Sequence, residues 1–256
     1  MVGARPVALV TGGRQGIGKG IALALAASGF DIALVDRIDD DIATQTLHDI
    51  EAQGAAALLL VRDLSDLDAH DALVSDTVGW RGSIDCLVNN AAVPARRRQD
   101  MLHLDRDSFD AVMDVNLRGT FFLSQKVAAW MTRHPTARAR SLVFISSVSA
   151  EMASIERAEY CMSKATVAMM VKLFTLRLAP EGIGVFEVRP GIIRTAMTAG
   201  MAETYSARIE EGLVPAGRWG DPGDIGRIVV PLAKGGHGFA TGSVIHADGG
   251  LHINQL

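Results

Sequence analysis

Residues 6–29, PVALVTGGRQGIGKGIALALAASG, decide the fold. Six strand-like residues run into a glycine-rich loop, and the loop opens an apolar segment long enough for a helix. Gly12, Gly16 and Gly18 fall where the chain must leave a strand, turn tightly and begin that helix. Glycine permits the unusual dihedrals and lets backbone approach a diphosphate. The free N–H groups and positive dipole end of the helix then point at the anion. The spacing is G-x-x-x-G-x-G rather than the G-x-G-x-x-G of the common dinucleotide fingerprint, so position between strand and helix carries the reading. The alternative is a turn followed by a helix-packing glycine.

The next strand-like run, DIALVD, ends at Asp36, 18 residues beyond Gly18. That is close to the offset of about 20 residues at which an acid grips the adenosine ribose. A carboxylate there accepts from both ribose hydroxyls and repels a 2′-phosphate, which favours NAD over NADP. Arg14 and Arg37 lie nearby and could reach a phosphate, and a solvated strand end is the plainer reading of Asp36. Asp63 and Leu64 follow a third strand, where they can border the adenine, and Asn90, Ala91 and Ala92 follow a fourth, where small residues let a cofactor lie against the chain.

Working outward, short apolar runs alternate with helix-period segments almost from end to end. The expected strands are 6–11, 31–36, 56–63, 84–89, 141–146, 183–188 and 243–247. Strand–helix alternation with near-continuous apolar strands predicts an α/β fold. It is read as a single-domain Rossmann-type doubly wound parallel sheet of about seven strands, helices on both faces, spanning 1–256. Such sheets bind ligands beyond the carboxyl ends of their strands. A formal net charge of -4 argues against a general nucleic-acid binder. No apolar run is long enough for a membrane span, and the first strand begins by Pro6, leaving no room for a targeting leader. A cytoplasmic location is expected. Cys86 and Cys161 suggest neither a disulfide framework nor a metal site, and the seven histidines show no paired ligand spacing. Segments 108–131 and 158–179 are apolar on more than one face, which suits partner subunits in a homo-oligomer as well as burial against the sheet.

A second stretch carries chemistry. In YCMSK, Tyr160 and Lys164 stand at i, i+4 and share one face of a helix. With two tyrosines and five lysines in the chain, about 0.04 such pairs arise by chance. The dull reading is an amphipathic cap with a snorkelling lysine. The functional reading is an acid/base: a free phenol has a pKa of ~10, and a close ammonium, helped by a positive nicotinamide, should lower it. Tyr160 could then exchange a proton with a carbonyl or alcohol oxygen as hydride moves.

With these motifs in order, the chain resembles the short-chain dehydrogenase/reductase family in its classical form, and within it the 3-oxoacyl-[acyl-carrier-protein] reductase branch. TGGRQGIG matches the family's TGxxxGxG loop, bringing in Gly12, Arg14, Gln15, Gly16, Ile17 and Gly18 as cofactor contacts, and Tyr160 and Lys164 match its YxxxK pair. Ser147, thirteen residues before Tyr160, stands where the family has its catalytic serine, and Asn116 in DVNLRGTFF matches its fourth active-site residue. PGIIRTAM, with Pro190, Gly191, Ile193 and Thr195, matches the segment that contacts the nicotinamide, and the DGG after the last strand is also matched. The resemblance implies that Ser147 bonds the substrate oxygen, that Lys164 also bonds the nicotinamide ribose, and that Asn116 holds a proton-relay water. It also implies a tetramer, or at least a dimer. One departure is Ala92, where the family usually has the glycine of NNAG; a small local shift is expected.

Substrate-facing segments should be 93–101, 149–156 and 195–215. The last contains Met197 and Met201 and resembles a mobile helix pair closing over an apolar or mixed substrate. Arg96, Arg97 and Arg98 could meet an acidic carrier protein or a coenzyme A phosphate, or be a solvated loop. The first substrate reading is a 3-oxoacyl thioester. An NAD-dependent sugar, polyol or other secondary-alcohol dehydrogenase stands close behind, because Asp36 sits badly with the NADPH usual in oxoacyl reductases. A non-catalytic nucleotide-binding regulator is the reading of another class, and the intact catalytic set weighs against it.

Overall fold

Five consecutive buried residues, Val7–Thr11, form β1 in the computed structural model, which describes residues 5–253. The other strands are β2 (Asp31–Asp36), β3 (Ala57–Val61), β4 (Cys86–Asn89), β5 (Arg140–Ile145), β6 (Ile183–Pro190) and β7 (Val244–Ala247). All pair in parallel, in the order β3-β2-β1-β4-β5-β6-β7. The helices are α1 (Gly16–Ala27), α2 (Asp41–Glu51), α3 (His70–Arg81), α4 (Arg106–Met113), α5 (Thr120–Arg133), α6 (Ala158–Leu178), α7 (Ala202–Glu210) and α8 (Pro222–Ala233).

Strand periodicity divides the core into two layers. Ala8, Val10, Ile32, Leu34 and Val88 pack with Ile21 and Leu25 of α1 and Ile225 and Val229 of α8. Leu9, Ala33, Val35, Leu87 and Phe144 point the other way, toward Leu73 of α3, Leu123 of α5 and Val171 of α6. Because both faces are covered, the strands carry apolar residues at successive positions rather than alternate ones. α1 and α8 pack so closely that a Cβ on Gly226 would come within 2.6 Å of the Gly20 carbonyl. β1 pairs with β2 on one side and β4 on the other, so the connections after these strands diverge and open a crevice at their carboxyl ends.

The expected fold is the observed one, with shifted boundaries. β3 stops at Val61, two residues short of the expected end, and β6 runs on to Pro190, which pairs with Ala247 of β7. The long helical segment expected over 108–131 is continuous in helical backbone but irregular in the middle. A π-helical turn, Asp114–Gly119, separates α4 from α5. Gly119 there lies against the Leu64 backbone, where a side chain would collide, so the irregular turn is held by tertiary contacts. Among the described residues, no helix is long and apolar enough to cross a membrane.

Candidate active site

The glycine loop leaves β1 with Gly12 at φ 64° and Gly16 at φ 59°, the left-handed region that disfavours side chains. A Cβ on Gly12 would lie 2.9 Å from the Ala91 Cα, and one on Gly18 would strike the Gly12 carbonyl. The loop is therefore pressed against the chain leaving β4. Asn90 fastens the two: its side-chain amide donates to the carbonyls of Thr11 (2.9 Å) and Gly12 (3.0 Å). The Thr11 hydroxyl accepts from the Asn90 and Ala91 amides, both at 3.0 Å. Asn90, expected as a cofactor contact, thus has its side chain committed to shaping the loop. α1 has no acidic residue in its first turn and no side-chain cap, which leaves its N-terminal donors for an anion.

A cavity of about 130 Å³ beside this loop is lined by Gly12, Asp36, Arg37, Asp63, Leu64, Ala91 and Ala92, among others. The carboxyl ends of β1 to β4 thus meet in one pocket, as the sequence required of an adenosine site. The Asp63 carboxyl is held below the usual range mainly by its hydrogen bond from the Ser65 hydroxyl. Asp36 accepts from the Arg37 amide at 2.9 Å. Arg14, expected as a cofactor contact, is outside this pocket's lining, and its guanidinium makes a two-pronged pair with Asp40, the residue that also caps α2. Ala92 causes no backbone strain, since among the described residues no non-glycine φ is positive. The close-packed glycines, bare helix end and Asp36 fit the pyrophosphate and adenosine ribose of a nicotinamide dinucleotide.

A second cavity, about 300 Å³, gathers Ile17, Ser147, Tyr160, Pro190, Gly191, Ile193 and Thr195, with Met197, Met201 and Tyr205 of the 195–215 segment. Thr195 of this cavity lies against the glycine loop, a Cβ on Gly16 falling 3.4 Å from the threonine methyl. Ser147 ends the β5 loop, its hydroxyl accepting from the Ser149 amide at 3.0 Å. Lys164 lies behind Tyr160, with Nζ 5.7 Å from the ring centre, donating to the Ile145 carbonyl at 3.0 Å. Asn116 sits in the π-turn, its side chain occupied on both ends: Oδ1 accepts from Val93 N (2.8 Å), and Nδ2 donates to Val93 O (3.0 Å) and Ser163 Oγ (3.1 Å).

Among the protein's own groups, Lys164 does not acidify the Tyr160 phenol; the expected lowering counts also on the positive nicotinamide. Burial pushes the phenol above its ordinary value, and the Ser147 hydroxyl and the Arg157 guanidinium pull the other way. Lys164 itself is driven down to about 8 by burial, against an opposing pull from Glu187. For both groups the loss of water outweighs the pull of the neighbouring charges.

Three features escaped the sequence reading. Arg157, one helical turn before Tyr160, lines the same cavity with its guanidinium 5.5 Å from the Tyr160 ring centre. The apolar-looking β6 carries a buried pair, Glu187 and Arg189, bonded at 2.6 Å, with Ser146 also donating to Glu187 at 2.6 Å. The histidines, read as scattered, include His246 and His252 with rings stacked 3.7 Å apart beside Asp248. Their potential ligand atoms and that of Asp248 lie within 4.8 Å of one another. The rings are only 17° from parallel, so their in-plane lone pairs do not converge on one point. Glycine spacing and the Y-x-x-x-K pattern were visible signals; these contacts join distant or unpatterned residues and had none.

Comparison with known proteins agrees with this architecture. The family profile described as enoyl-(acyl carrier protein) reductase matches residues 12–252. The 3-oxoacyl-[acyl-carrier-protein] reductase FabG of Staphylococcus aureus (strain Mu50) is 32% identical over 246 residues, covering 96% of this chain and 98% of that protein. The 2-dehydro-3-deoxy-D-gluconate 5-dehydrogenase of Escherichia coli K12 is 34% identical over 248 residues, covering 95% and 94%. A crystal structure of 3-oxoacyl-[acyl-carrier protein] reductase from Brucella melitensis in complex with NAD superposes with a TM-score of 0.95 at 52% identity, covering 98% and 99%. The chain belongs to the short-chain dehydrogenase/reductase family. It is an oxidoreductase acting on carbonyl and CH–OH groups with a nicotinamide cofactor.

Proposed function

We propose that the described fold acts with the rest of the 256-residue chain as one cofactor-binding and catalytic unit, with Tyr160 as general acid/base. The observation that carries this reading is the meeting of Tyr160 and Ser147 in one cavity with Pro190, Gly191 and Thr195, with Lys164 enclosed behind the phenol. Gly12, Gln15, Gly16, Ile17 and Gly18 hold the pyrophosphate, Asp36 the adenosine ribose, and Asp63, Leu64, Ala91 and Ala92 the adenine side. Pro190, Gly191, Ile193 and Thr195 wall the nicotinamide. When bound, the cofactor supplies or accepts the hydride. Ser147 donates a hydrogen bond to the substrate oxygen, steadying the charge that gathers there. Tyr160 passes its hydroxyl proton to that oxygen, or receives one from the alcohol in the reverse direction. Lys164 bonds the nicotinamide ribose as well as the Ile145 carbonyl. Any relay water at Asn116 rests on its backbone, because the side-chain amide is already engaged.

NAD is the favoured cofactor, since Asp36 stands in the adenosine pocket and Arg14 is tied to Asp40. The first substrate reading is a 3-oxoacyl thioester, supported by the names of the Staphylococcus and Brucella relatives. The second is a sugar acid or polyol, supported by the Escherichia coli relative and by two arginines on the substrate cavity. The protein acts in the cytoplasm as a homo-oligomer, dimer or tetramer. Met162, Met169, Leu173 and Leu176 form an exposed stripe along α6, and Phe122 of α5 is also exposed. A soluble dinucleotide enzyme gains by covering such a surface.

The test is a coupled absorbance screen over acyl thioesters, sugar acids, polyols and cyclic alcohols with both cofactors, run on wild type and Tyr160→Phe. Turnover by wild type and its loss by at least about 10³-fold in Tyr160→Phe, with NAD binding kept, is expected. Full activity in Tyr160→Phe refutes the mechanism, and NAD binding without turnover of any substrate favours the regulator.

A further inference from the structure

The substrate cavity carries an unbalanced positive charge. Its charged lining residues are Arg98 and Arg157, and among the described residues no Asp or Glu lines it. Neither arginine forms an ion pair among the described residues: Arg98 donates to the Tyr205 hydroxyl at 3.3 Å, and Arg157 to the Ser149 hydroxyl at 3.3 Å. Both acceptors are neutral. The two guanidinium groups come from separate segments that are tied together, since the Gln99 amide reaches the Glu156 carbonyl at 3.4 Å. Their relative position is therefore set by the fold. Arg98 is exposed and Arg157 half-buried, with the Arg157 Nε closed from solvent and lacking a hydrogen-bond partner among the described residues. A guanidinium so placed beside a reaction centre without a counter-charge favours an anionic ligand, because its donors are incompletely compensated by protein.

We propose that Arg157, aided by Arg98, is the specificity-determining anion site of this enzyme, and that its substrate is a short oxo- or hydroxy-carboxylic acid. This rests on the reading of Tyr160 as acid/base and selects the second of the two substrate classes. A carboxylate held at Arg157 lies within a few bonds of a carbon presented to Tyr160, whose ring centre is 5.5 Å from the guanidinium carbon. A pantetheine phosphate is separated from its thioester carbonyl by a long chain and cannot take that place while the carbonyl meets Tyr160. The planar fork of arginine suits the two oxygens of a carboxylate. Arg96 and Arg97, the rest of the basic run, are exposed like Arg98 but lie outside the cavity lining.

The experiment pairs acetoacetate and the six-carbon aldonate gluconate with their methyl esters, beside acetoacetyl-coenzyme A. Each is assayed with NAD(H) and titrated calorimetrically into the NAD-loaded full-length protein, so that the result does not depend on turnover. At least one acid is expected to bind, and to be used, about 10- to 100-fold better than its ester. Arg157→Gln should erase that preference through KM more than kcat, and Arg157→Lys should restore part of it, which a merely structural role would not do. Acids that bind no better than their esters, or a preference that survives in the Arg98→Gln/Arg157→Gln double variant, overturn the proposal. Efficient use of acetoacetyl-coenzyme A with no acid preference overturns it while leaving the Tyr160 reading intact. Acid binding without turnover supports the anion site and counts against the catalytic reading instead.

Discussion

The Lys164 ammonium lies 3.0 Å from the main-chain carbonyl of Ile145, the last residue of β5, and is almost closed off from solvent. Burial lowers its pKa from 10.5 to about 8. The unfolded chain therefore binds the proton more readily than the folded one between these values, and stability rises with pH across that window. The contribution is complete above the unfolded value and is lost as pH falls through about 8. Lys164→Met should flatten this dependence, removing up to about 3 kcal/mol of relative change. Urea unfolding of both proteins at pH 7.5 and pH 10 measures it, and the comparison cancels Tyr160 and Cys86, which burial shifts upward in both. Parallel pH curves would show that Lys164 is not desolvated.

Asp36 should control cofactor choice through repulsion of a 2′-phosphate. Asp36→Ala is expected to raise kcat/KM with NADP by about tenfold, a modest charge effect worth ~1.4 kcal/mol, and to lower that with NAD. Arg37 lines the same pocket, whereas Arg14 is held by Asp40. The gain should therefore shrink in Asp36→Ala/Arg37→Ala, which loses an attracting charge as well as the repelling one, and persist in full in Asp36→Ala/Arg14→Ala. Steady-state kinetics with both cofactors decide it; an unchanged ratio in Asp36→Ala removes the ribose argument.

Asn90→Ala should cost both stability and cofactor affinity. The substitution strips hydrogen bonds from the Thr11 and Gly12 carbonyls, a loss of about 1–3 kcal/mol where they are closed from water. Because those carbonyls belong to the glycine loop, NAD affinity should weaken as well. Chemical unfolding and fluorescence titration with NAD read the two effects, and a variant with wild-type values in both would show the loop to be self-supporting.

Leu173→Glu/Leu176→Glu places two charges on the exposed stripe of α6. A shift toward monomer in sedimentation velocity at micromolar concentration is the expected outcome. A wild-type monomer at the same concentration contradicts the assembly outright.

The parallel sheet, the glycine loop and the tyrosine–lysine pair were legible because each is written in local pattern. Apolar runs report strands covered on two faces, glycines report backbone that cannot carry a Cβ, and Tyr160 and Lys164 are one helical turn apart. The π-turn after Met113 was not legible, because the groups that pack against it, Val93, Ser163 and Leu64, are distant in sequence. Spacing likewise reveals a neighbouring ammonium for Tyr160 but not the loss of water around both groups, which among the protein's own groups raises the phenol and lowers the amine.

By itself, then, the order of residues determined the layered α/β architecture and the crevice at its strand ends, through periodicity and glycine spacing, and it put Tyr160 and Lys164 on one helix face, whereas Asn116 and Ser147 were implied by the resemblance to a family. Tertiary structure alone decided that Arg14 is consumed by Asp40, that Asn90 clamps the glycine loop, and that Arg98 and Arg157 face one cavity without a counter-charge. The physical reason is that charge balance and solvent exclusion depend on every group brought near a point in space, whatever its distance along the chain.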